Sequence, residues 1–167
     1  MVDVEPIVIA SEDELDQMLR GRVFHITSSK NLDSIRNAGG LFPNSEMTWS
    51  SDFGNSINGY FRLRNCVSFF DYRKHGATEW EEHAYKCRPT QILSEVEAIT
   101  VLFLSSSQYD KLIPWTKWKE EKAWSHRIVP HVEIGYEGVV PLKYITEIVR
   151  YAPGRQVPSG LGCLDLS

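Results

Sequence analysis

The stretch VFHITSSKNLDSIRNAGGL, residues 23–41, constrains the fold more than any other part of the chain. Val23 to Ile26 is β-prone, and Ser28 or Ser29 can cap a helix. Leu32, Ile35 and Ala38 then recur at helical spacing before Gly39-Gly40 stops the run. A strand, a turn and a helix in close succession, with His25 near the end of the strand, require a helix packed on a sheet.

The same signals organise the rest. Ser11 to Glu14 is a capping-box pattern, and Leu15, Met18 and Leu19 share a face, so a first helix is predicted at about residues 12–20. Cys66-Val-Ser-Phe-Phe reads as a strand. Thr78-Glu-Trp-Glu reads as a second capping box, leading a helix with Trp80, Ala84 and Cys87 on one side that stops before Pro89. Downstream come a buried strand at Ala98–Leu104, a short helix at 107–113, a proline-bearing strand at Ile128–Ile134 and an alternating strand at Ile145–Tyr151. Residues 43–58, rich in Ser, Asn, Gly and Pro, read as a long surface segment, and the tail from Pro153 as a loosely ordered end. The fold class is mixed α+β, in a single domain over 1–167.

Charge and cysteine usage exclude several classes. The chain has 18 basic and 22 acidic residues, a net charge of −4, which disfavours non-specific nucleic-acid binding while leaving room for a local basic groove. Cys66, Cys87 and Cys163 form no CxxC and no Cys/His cluster at ligand spacing, so neither zinc nor a disulfide framework is indicated. No basic leader with an apolar core and no long apolar run is present; the expectation is no signal peptide, no membrane span and a cytoplasmic location. GxSxG, GxGxxG, GxxxxGK[ST] and HExxH are all absent. By residue chemistry alone, His25 is either a satisfied strand histidine or a ligand-binding group.

FHITSSKNLDSIRNAGGL resembles the opening of ADP-ribosyltransferase-fold proteins, in particular the DarT type, in which an H-x-T strand is followed by NL, I and G-L. His25, Thr27, Asn31, Leu32, Ile35, Gly39 and Leu41 stand at those places. VEIGYEGVVPLKYITEIV is similar to the late segment of that family, in which a glutamate ends a short strand and a V-P turn leads to the last one; Glu133 and Pro141 occupy these positions. CVSFFDYR resembles the central strand, where a small hydroxyl residue and aromatic groups line the NAD pocket.

The resemblance implies an ADP-ribosyltransferase-like split mixed β-sheet core with flanking helices, and an enzyme that transfers ADP-ribose from NAD to DNA, RNA or protein. It implies NAD as co-substrate, no metal and a role as a toxin or conflict-system effector with an antitoxin or immunity protein as partner. His25, Ile26 and Thr27 would hold the ribose and the nicotinamide amide; Ser68, Phe70, Tyr72 and Arg73 would complete the pocket. Glu133 would be the catalytic carboxylate, stabilising positive charge on the ribose. The DarT strand-and-arginine region has no clear counterpart here, so thymidine in single-stranded DNA is not carried over as the acceptor. A tRNA 2′-phosphotransferase-like chain would share fold and NAD, but its H-G and twin-arginine signatures are not evident. A catalytically inactive module that binds NAD, a nucleotide or a protein is the alternative.

Other residues keep two meanings. Glu137, in a Gly-Tyr-Glu-Gly turn, competes with Glu133 or is solvated surface. Glu95 and Glu97 precede a strand and read as solvated charge. Tyr60, Phe61, Phe69, Phe70 and Tyr72 are candidates to stack on nicotinamide or are core. Arg73 either meets a pyrophosphate or is an exposed arginine. Trp115, Trp118 and Trp124 either contact an acceptor or cover the core.

Overall fold

The structure, a computed structural model, describes residues 4–44 and 58–154. The chain runs β1 (Ile7–Ile9), α1 (Glu12–Leu19), β2 (Val23–Ser28), α2 (Leu32–Ala38), β3 (Gly40–Leu41), α3 (Tyr60–Leu63) and β4 (Cys66–Asp71). It continues through α4 (Thr78–Ala84), β5 (Ile99–Leu104), β6 (Ile113–Pro114), α5 (Thr116–Glu120), β7 (Glu133–Glu137), β8 (Val140–Pro141) and β9 (Ile145–Tyr151). Seven strands form one sheet in the order β1-β9-β5-β2-β4-β7-β6, and β3 pairs with β8 separately. Among the strands of the described residues, β1–β9 is the parallel pair and the others are antiparallel. The predicted α+β class is therefore observed, as a mainly antiparallel sheet with helices.

Alternation along each strand sorts side chains between two faces. Phe24, Ile26, Phe70, Val101, Phe103 and Val149 join Leu15 and Leu19 of α1 and Trp80 of α4 in one cluster. Val23, Val67, Phe69, Leu102, Ile134 and Ile148 join Leu32 of α2 in the other. A third cluster, Tyr60, Phe61 and Cys66, with Trp118 and Ile128 against it, covers the β4–β7–β6 end. Gly135 admits that cover: a Cβ there would lie 2.3 Å from the Phe61 ring.

The sheet is paired unevenly. β2 runs beside β5 from Phe24 to Ser28, and β4 beside β7 from Cys66 to Phe70. Between β2 and β4 the ladder holds only Val23↔Asp71 and Phe24↔Phe70. The sheet thus divides into β1-β9-β5-β2 and β4-β7-β6 halves that are joined by two rungs and part after Phe24.

Several local expectations hold. Ser11 Oγ accepts from the Glu14 amide at 3.3 Å at the start of α1, and α2 ends on Gly39 at φ +81°. Others need correction. The Glu81 amide donates to the carbonyl of Ala77 at 2.9 Å, which makes Ala77 the cap of α4; Thr78 is the first helical residue and forms no capping box. The predicted helix at 107–113 is a tight 3-10 turn over Ser106–Lys111, capped by Ser105, with Ile113 already in β6. The predicted strand at Ile128–Ile134 begins only at Glu133. Pro130 has no amide to donate, and His131 takes a left-handed φ of +64°, so the chain turns there; the amides of Val132 and Glu133 both reach the carbonyl of Val129. Most of the predicted surface segment at 43–58, all but two residues of the tail from Pro153, and Cys163 lie outside the described residues.

Candidate functional site

His25 is the third residue of β2, and β2 continues beside β5 to Ser28. The strand therefore does not end near His25, as the sequence suggests; the partnership with β4 does. His25 Nδ1 lies 2.8 Å from the Ser68 main-chain oxygen. A carbonyl only accepts, so Nδ1 carries a proton. The imidazole takes up a β4 carbonyl at the point where the two ladders part. Its edge rests on Phe69, ring centres 5.8 Å apart at 65°.

The strand–turn–helix unit is clamped behind it. Asn31 Nδ2 donates to Thr27 Oγ1 at 2.8 Å, Thr27 is buried, and Ser28 Oγ accepts from the Lys30 amide at 3.4 Å. Ile26 faces the first cluster and is 2% exposed, so its side chain is core and only its main chain is left for a ligand.

Ser68 is exposed between buried Val67 and Phe69. It pairs with Gly135, and Phe70 pairs with Glu133, so Ser68 and Glu133 share one face of adjacent strands, offset by two residues. Glu133 opens β7; the glutamate that ends this strand is exposed Glu137, opposite Cys66. The Glu133 carboxylate accepts from the Val129 amide at 2.5 Å, while the Glu133 amide donates to the Val129 carbonyl at 3.0 Å. Burial pushes the Glu133 carboxyl up to about 7, against the opposing pull of the Val129 amide. Burial, then the neighbouring Glu133 charge, pushes the Cys87 thiol up to about 12.

The other predicted pocket residues are not gathered here. Phe70 stacks on Phe24 at 5.3 Å with an 8° tilt, inside the core. Tyr72 is 8% exposed and packs edge-on against Phe24 and Trp80, 4.9 and 4.7 Å between centres. Arg73 forks onto Asp71 through Nε and Nη2, both at 2.9 Å, and lies over the Tyr109 ring, so its charge is already matched. Tyr60 and Phe61 belong to the third cluster, and Phe69 is buried beneath His25. Glu95 and Glu97 are exposed ahead of β5. Among the tryptophans, Trp115 lies against His131 at 4.5 Å and half-buried Trp118 donates to the His126 carbonyl, while Trp124 is 58% exposed and meets Trp118 edge-on.

Sequence reasoning missed the main-chain partners, the Ser68 carbonyl and the Val129 amide, because backbone groups leave no mark in residue types. The turn chemistry of Pro130 and His131 was the available signal for the second. Among the described residues no group of three or more His, Cys, Asp or Glu side chains is placed to hold a metal ion, and no helix is long and apolar enough to cross a membrane. Comparisons with models of protein families, with curated proteins and with solved structures found no match.

Proposed function

We propose that the chain is a NAD-dependent mono-ADP-ribosyltransferase whose donor site lies at the split between β2 and β4. The observation that carries this reading is the position of His25, at the residue where β2 loses β4 as a partner, with its ring on the Ser68 carbonyl. A parting between strands exposes main-chain edges to a ligand, and His25, Ile26 and Thr27 follow one another there in the sequence order of the H-x-T motif of the family resemblance.

The residues present suit NAD in part. Half-buried His25, on the Val23 and Phe69 face of the sheet, can direct a hydrogen bond to a ribose hydroxyl, whereas exposed Ser68 stands on the opposite, Phe70 face of the neighbouring strand. Cleavage of the bond between nicotinamide and ribose builds positive charge on the sugar, and Glu133, which shares the face of Ser68 and not that of His25, is the carboxyl proposed to oppose it across the split. Phe70, Tyr72 and Arg73, being engaged elsewhere, are not assigned to NAD. The acceptor is a macromolecule, and a toxin-like effector role with a neutralising partner remains part of the proposal.

One observation favours the alternative of an inactive binding module: a carboxyl held near 7 by burial is substantially protonated at neutral pH. The two readings separate on incubating the protein with labelled NAD and a lysate divided into protein, DNA and RNA. Release of nicotinamide together with label entering one fraction is the expected result and names the acceptor class. NAD binding with neither release nor label assigns the module.

A further inference from the structure

A groove of about 290 Å³ opens between α1 and α4, and His25, Ser68 and Glu133 are not among its lining residues. Glu12 and Asp16, one turn apart on α1, face it together with Glu81 of α4, and Tyr72, Trp80 and Tyr85 supply aromatic walls. Arg88 is the one cationic residue in the lining, so carboxylates outnumber it and the groove is net negative.

Tyr72 makes this more than a set of surface acids. The residue is 8% exposed, its ring is fixed between Phe24 and Trp80, and its hydroxyl has no hydrogen-bond partner among the described residues. Tyr72 belongs to the lining of the groove, where a ligand can meet this hydroxyl. Burial raises the phenol above its ordinary range, and the charges of Cys87, then Asp16 and Glu81, add to that rise. The phenol of Tyr151, also buried, is raised by burial and then by Glu12 and Asp16. Tyr85 is 65% exposed, and Lys86 Nζ lies 5.9 Å over its ring, so this ring already attracts an ammonium group from its own chain.

We infer that this groove is a binding site for an aliphatic ammonium ion, held by the Asp16 and Glu81 carboxylates, the Tyr72 hydroxyl and the Tyr85 ring. A small linear amine matches the volume, which lies at the lower end of ligand pockets. Carboxylates on two helices suit a cation with more than one charge. The ammonium group is carried equally by a free polyamine and by a lysine side chain of a partner. This inference is independent of the proposed transferase activity.

The test is calorimetric titration of the full chain at low salt with spermidine and, separately, with Nα-acetyl-lysine amide. Saturable binding of either is expected; spermidine alone points to a free polyamine, lysine amide alone to a partner's side chain. Tyr72→Phe, which keeps the ring and removes only the hydroxyl, should weaken binding by about tenfold. Asp16→Asn with Glu81→Gln should weaken it at least as much, and Glu133→Gln should leave it unchanged. No saturable binding of either probe to the folded wild type, or equal affinity in folded Tyr72→Phe, overturns the assignment.

Discussion

Glu133→Gln is expected to abolish turnover and, at about pH 8, to make the folded chain more stable. The carboxyl is raised from 4.5 to about 7, chiefly by burial. Between those values the folded state holds a proton that the unfolded state releases, so this group's contribution to stability falls as pH rises through the window. Above about 7 the full cost of a buried carboxylate is present, at most about 3 kcal/mol. Glutamine is close in shape, carries no charge and still offers an oxygen to the Val129 amide. Thermal melts at several pH values should therefore show the variant ahead of wild type above pH 7, with the difference vanishing towards pH 4. Nicotinamide release should drop by roughly 10² to 10⁴, and wild-type turnover should rise with pH through about 7 as the carboxylate forms. A variant that is less stable at high pH, or that retains turnover, contradicts the role given to this side chain.

Phe24→Ala is expected to cost about 3 to 5 kcal/mol, a large share of the roughly 5 to 15 kcal/mol that stabilises a typical domain. Phe24 is fully buried, stacks on Phe70, meets Tyr72 edge-on and lies 5.9 Å from Phe103 between centres. It is also the last rung joining β2 to β4. Truncation removes apolar area, leaves a cavity and weakens the join between the two halves of the sheet. Urea denaturation should show the midpoint falling by about 2 M, with Phe24→Leu intermediate. A loss below about 1 kcal/mol would mean that the halves are held together elsewhere.

Much of the fold was legible because local chemistry and tertiary packing agree. Ser11, the Leu32–Ile35 spacing and Gly39 marked α1 and α2, and alternation marked β9, whose Ile145, Ile148, Val149 and Tyr151 are buried. β1 was not legible: three residues carry too little periodicity, and their parallel pairing with β9 joins opposite ends of the chain. β3 and β8, two residues each, exist only as a long-range pair. At the site, the residue type and position of His25 could be read, but its setting could not. A strand that continues while one neighbour leaves looks, in sequence, like a strand that ends. Phe70 and Tyr72 were proposed as pocket aromatics on their type, and the core claimed both rings.

The central claim is that NAD occupies the split at His25. Its most direct test is a titration of ¹⁵N-histidine-labelled protein with NAD, following the ring nitrogens of His25, His75, His83, His126 and His131 by NMR. The account predicts an Nδ1-protonated His25 in the free protein and a saturable shift of its Nε2 on addition of NAD. It is contradicted if His25 stays unmoved up to about 1 mM NAD, the upper end of ordinary enzyme–substrate affinities, or if the shifts centre on another histidine.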